Sequence, residues 1–159
     1  MWRRLFSKPT DATLATIASP AITTDETHLV LGKRVRIDVL LAVVRLLPRP
    51  AILFIEGGAG PGPLDALAEY KTTPQRSDLS GTISPSEESH FPLTTSVLDG
   101  LQALAECHAV PELMDHLVVY DGEHVLLAAY DAGSDPIAIS RRLPPEVRQE
   151  ITRLVEGVT

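Results

Sequence analysis

The stretch that most constrains the fold is AILFIEGGAGPGPLDALAEY, residues 51–70, where a continuous apolar run passes through four glycines and two prolines into a helical pattern. Five successive apolar residues, 51–55, predict a strand covered on both faces and therefore near the middle of a sheet. Glu56 and the glycines end it. Pro63 at a first helical position and Asp65 in the first turn then predict a helix over residues 63–70.

A strand that turns through glycines into a helix presents N–H groups and a positive dipole end, the usual setting for a bound phosphate. Here the details argue against one. A G-x-G-x-x-G pattern starting at Gly58 would need glycine where Pro63 stands. Gly57 and Gly62 have the spacing of a phosphate-binding P-loop, but Pro63-Leu64 replace the Lys and Ser/Thr that would hold phosphate and Mg²⁺. Pro61 and Pro63 also lack N–H donors, and Glu56, Asp65 and Glu69 are negative neighbours. The loop is read as a turn or a ligand-binding loop, with Glu56, Gly57, Gly58, Gly60 and Gly62 as its candidate contacts and no cofactor implied.

Around this stretch the chain reads as alternating elements. Residues 28–31 form a short strand, and residues 37–47 a helix closed by Pro48. A rival reading pairs Val35, Ile37 and Val39 as an alternating strand across Gly32-Lys33. Residues 71–92 are loop-rich, with one short strand at 81–84. Thr94 or Thr95 caps an amphipathic helix running to about His108, with His108 on its apolar stripe. Residues 117–120, the pair Asp121-Gly122 and residues 123–130 make a β-hairpin in which Tyr120 faces Glu123. A strand at 137–139 follows, and Pro144-Pro145-Glu146 opens a last helix with Val147, Ile151, Leu154 and Val155 on one stripe.

These elements predict an α+β fold: one domain over residues 27–159 with a mixed five- to six-stranded sheet, a C-terminal three-stranded antiparallel meander, and helices packed on it. Residues 1–26 form a poorly defined N-terminal segment. A chain of 159 residues is long enough for one sizeable core without staples.

The charge is unevenly spread. Residues 77–140 contain no Lys or Arg but eleven carboxylates, within an overall net charge of -7. Such a surface repels nucleic-acid phosphates and attracts basic partners. Asp115, Asp121, Glu123, Asp131 and Asp135 are therefore the candidate partner-binding residues. The bland alternative is scattered acids that keep a small protein in solution.

Catalytic readings fail on spacing. The single cysteine, Cys107, excludes an internal disulfide framework and any multi-thiolate zinc site. It is adjacent to His108, but neighbouring helical residues point about 100° apart, and the end of a helix disfavours a thiolate. In the predicted hairpin register His116 and His124 fall on opposite faces, so they share no metal ion. No G-x-S-x-G occurs. No apolar run approaches the roughly 20 residues of a membrane span, and no export signal is read.

The reading is a small, cytoplasmic, non-catalytic protein that binds a basic protein partner through an acidic surface, in the manner of a regulator or an inhibitor or immunity protein. It implies no nucleic acid, membrane, metal or cofactor, and leaves homo-oligomerisation open. The alternative is a small-molecule-binding domain or modest hydrolase with its pocket at the Gly57–Pro63 loop.

Overall fold

The structure, a computed structural model, describes residues 28–57, 62–75, 88–122, 124–129 and 131–157. The N-terminal segment, the strand read at 81–84, Gly58, Gly60 and Glu123 lie outside these residues. Six strands and five helices follow in the order β1 (His28–Leu31), α1 (Ile37–Arg45), β2 (Ile52–Glu56), a 3₁₀ helix (Pro63–Tyr70), β3 (Glu88–Pro92), α2 (Thr95–Cys107), α3 (Val110–Leu113), β4 (His116–Asp121), β5 (His124–Ala129), β6 (Ile137–Ser140) and α4 (Pro145–Glu156).

All six strands join one sheet in the order β1-β6-β5-β4-β2-β3, and the fold is α+β as predicted. Every described pairing is antiparallel, where a mixed sheet was predicted. The reason lies in where α1 leads. A helix between two strands suggests a parallel crossover, but here three strands separate β1 from β2. The antiparallel neighbours of β2 are β3 and β4, so it is the second strand from one edge and not the middle of the sheet. Its five residues are nonetheless all buried.

Strand β3 occupies residues read as loop. Its sequence, Glu-Ser-His-Phe-Pro, carries a single large apolar side chain and ends in proline, which hides it from hydropathy. It is an edge strand, where proline is tolerated because no outer ladder needs its N–H.

The hairpin also differs by a register step. Asp121 pairs with His124, which puts Gly122 in the turn; Val119 pairs with Leu127 and Tyr120 with Val125, leaving Leu126 as the extra residue of a bulge. The bulge lets Leu126 remain in the helix-side core while Val125 turns to the other face.

The helices lie on one face of this sheet. Leu40, Leu41, Val43 and Val44 of α1, Val97, Leu98 and Leu101 of α2, and Ile151 of α4 share a core with Leu53, Ile55, Val119, Leu127 and Ile139 of the strands. Each fully buried aliphatic side chain contributes about 1.5–3 kcal/mol of transfer free energy. Residues 35–39 are not a strand: Val35 is buried, and α1 begins at Ile37. Helix α2 starts where Thr94 Oγ1 accepts the Val97 N–H at 3.3 Å, a side-chain cap. It passes the 3₁₀ helix at Gly100, where a Cβ would run into Leu67. It ends at Cys107, so His108 leaves the apolar stripe, becomes exposed and pairs with Glu112 at 3.5 Å.

The opposite face is built differently. Ile52, Phe54, Val118, Tyr120, Val125 and Ala128 form a second buried cluster made only of strand residues. By register His90 and His28 belong to the same face, and both are buried.

Candidate functional site

Two polar groupings emerge, one at an end of the sheet and one on its helix-free face. The first sits where β2 ends and β4 begins. Glu56 pairs in register with Glu88 on one side and His116 on the other, so two carboxylates and an imidazole form a row across three strands. Antiparallel partners of this kind hold their Cβ atoms roughly 4.5–5.5 Å apart. Glu56 is buried, and Glu88 and His116 are half-buried.

Backbone contacts lock the surrounding loops to this row. The Asp115 N–H donates to Glu56 O at 2.8 Å, and the Ala132 N–H donates to Asp115 O at 2.8 Å. The Asp131 N–H reaches His116 Nδ1 at 3.4 Å. A ring nitrogen that accepts an N–H carries no proton itself, which favours the neutral tautomer protonated at Nε2. Burial lowers the His116 pKa below its ordinary value, while the carboxylates of Asp115 and Asp131 push the other way.

Two residues have backbones that serve this arrangement. Gly57 has φ +89°, and a Cβ there would overlap the Asp115 carboxylate. The first glycine of the loop is thus required by the close approach of Asp115 rather than by an anion. Asp131 has φ 43°, a left-handed conformation that Asp adopts more readily than most residues, and it opens the turn from β5 toward β6.

The candidate residues therefore divide. Glu56, Gly57, Asp115 and Asp131 come together at one end of the sheet. Asp135 lies on the same side, its carbonyl accepting the Val35 N–H at 3.2 Å. Gly62 is the residue before the 3₁₀ helix, with φ -102°. Asp121 stands at the far end of β4, five residues from His116, or about 17 Å along a strand. Another acid of the window, Asp99, pairs with Arg45 of α1 at 2.8 Å. Among the described residues, the acids of this window thus do not all gather at one end of the sheet.

His116 and His124 lie at opposite ends of the hairpin. His124 is 2.9 Å from an Arg142 nitrogen. Among the described residues no group of three His, Cys, Asp or Glu side chains is arranged to hold a metal ion. No described helix is long and apolar enough to cross a membrane.

The second grouping was not read from the sequence. On the helix-free face His90 Nδ1 and the Tyr120 hydroxyl share a hydrogen bond of 3.1 Å, and that hydroxyl accepts the Gln75 N–H at 3.2 Å. The His90 ring is 4.9 Å from Phe54 and meets Tyr120 edge-on at 6.2 Å. Burial alone lowers the His90 pKa to about 4. Nothing local signals the cluster, because its members come from β3, β4 and residues 71–75 and meet only when the sheet forms.

Compared with known protein families, curated proteins and solved structures, this chain matches none.

Proposed function

We propose that this protein is a non-catalytic, cytoplasmic binding protein, regulatory or inhibitor- or immunity-like, that docks a basic protein partner on the carboxylates at the end of β4 and β5. The observation that carries this reading is the meeting of Asp115 and Asp131 around His116, with Asp135 on the same side of the sheet. Asp115 and Glu112 are exposed, Asp131 and Asp135 are half-buried, and residues 77–140 supply no Lys or Arg. Hydrogen bonds fix the backbones that carry Asp115, Asp131 and Asp135, which reduces the freedom lost when a cation arrives and favours a Lys- or Arg-rich surface. The original five-residue acidic set is narrowed by Asp121, which is too distant to share one small contact with Asp115.

The test is a pull-down from native lysate at low salt, with the wild type beside an Asp115→Asn/Asp131→Asn variant. The reading requires a basic protein that the wild type retains, that moderate salt releases and that the variant no longer holds. Retention of nothing basic at low salt sinks it.

A second reading keeps the same end of the sheet but takes a small molecule, by binding or modest hydrolysis. The row Glu88, Glu56 and His116 favours it, since a buried carboxylate beside a half-buried imidazole is a usual setting for acid and base chemistry. A thermal-shift screen of a ligand library without a single stabilised hit would remove it.

A further inference from the structure

On the helix-free face, residues 71–75 cross from the outer edge of β3 toward β4, and two of their described hydrogen bonds lead to His90, one at its carbonyl and one by way of Tyr120. The His90 carbonyl accepts the Thr72 N–H at 2.8 Å. Its ring shares the 3.1 Å hydrogen bond with Tyr120, whose hydroxyl accepts the Gln75 N–H at 3.2 Å. His90 is 4% exposed, and its buried Nε2 has no hydrogen-bond partner.

We propose that His90, Tyr120 and Gln75 form a protonation-controlled clasp, which holds Gln75 against the sheet while the imidazole is neutral and releases it when the ring takes up a proton. An imidazolium has two N–H groups to satisfy, and at this position only one ring nitrogen has a partner. A buried charge without an acceptor is expensive, so the ring is driven out to water. Leaving the face breaks the bond to Tyr120 and takes away the support that orients its hydroxyl toward Gln75.

The surroundings set how far the balance can move. From β2, Phe54 packs on the ring and Glu56 lies one rung along the same face; from β4, Tyr120 faces it, with His116 in the Glu56 row. On β3 itself Glu88 shares that row, and residues 71–75 bring one charged side chain, Lys71, which is exposed. Burial is what disfavours the charged form of the imidazole.

The test is amide hydrogen exchange by NMR on the full chain from pH 7 to pH 4, corrected for intrinsic exchange. Leu127 in β5 serves as the core reference. With a closed-state pKa of about 4 against 6.5 when open, clasp opening should grow across this window, most steeply between pH 6 and pH 5 at roughly sevenfold. The cumulative loss of protection at Gln75 is then roughly 100-fold. His90→Asn, which keeps an acceptor near Nδ1 but cannot titrate, should flatten that dependence. Tyr120→Phe should lower Gln75 protection at every pH. Gln75 protection that is flat with pH in the wild type overturns the proposal. So does protection at Gln75 that matches Leu127 in both size and slope, because His90 would then be exposed only by global unfolding. A His90→Asn variant retaining the wild-type slope overturns it as well.

Discussion

Gly57 and Asp115 are so close that a Cβ on the glycine would overlap the aspartate carboxylate, and the Gly57 backbone is held at φ +89°. Both facts predict the same outcome for Gly57→Ala. Left-handed backbone costs a non-glycine residue about 1–2 kcal/mol, and displacement of Asp115 adds to that. The variant should lose about 2 kcal/mol or more in chemical denaturation, with chemical-shift changes reaching Asp115 and His116. A neutral substitution would mean that the chain leaves β2 differently.

The His90 shift carries a defined pH dependence of stability. Its folded pKa, about 4, lies below the unfolded value of 6.5, so the unfolded chain binds the proton first as pH falls. The stability present above pH 6.5 is therefore lost between about pH 6.5 and pH 4, by up to about 3 kcal/mol. His116 is shifted in the same direction and adds to the loss below pH 6.5. Urea midpoints measured across this range should fall for the wild type and fall less for His90→Asn.

Substituting Tyr120→Phe deletes a buried hydroxyl that His90 and Gln75 both use. Leaving buried polar groups without their partner costs about 1–3 kcal/mol, whereas the ring's packing against Ile52 and Phe54 is retained. The midpoint of urea unfolding should shift by that amount with an unchanged slope.

Arg45→Ala should matter much less. The Arg45–Asp99 pair joins α1 to α2 at 2.8 Å, but its side chains are 34% and 63% exposed. Exposed pairs are worth about 0–1 kcal/mol and weaken with salt. By contrast Leu98→Ala, at a position with no exposed surface in the same interface, should cost about 2–5 kcal/mol. Comparing the two by thermal or chemical denaturation separates charge from packing between these helices.

Much of the architecture was legible in short-range pattern. The apolar run of β2, the stripe of α2 with its Thr94 cap, the proline-led α4 and the presence of a hairpin around Gly122 follow from periodicity and turn chemistry acting over a few residues. The sequence by itself therefore determined which of these segments are helix or strand, and it brought Glu56, Asp115 and Asp131 forward as candidates. Tertiary structure decided what lies beside what. It set β2 next to an edge strand, made every described pairing antiparallel and turned the five residues of β3, polar in pattern, into a strand. It also separated Asp121 from Asp115 by the length of β4 and joined His90, Tyr120 and Gln75 across a face without helices. The physical reason is range: propensity and amphipathicity act within one turn or one strand, whereas strand order and buried polar partners are fixed by contacts between residues far apart in the chain, which no local pattern encodes.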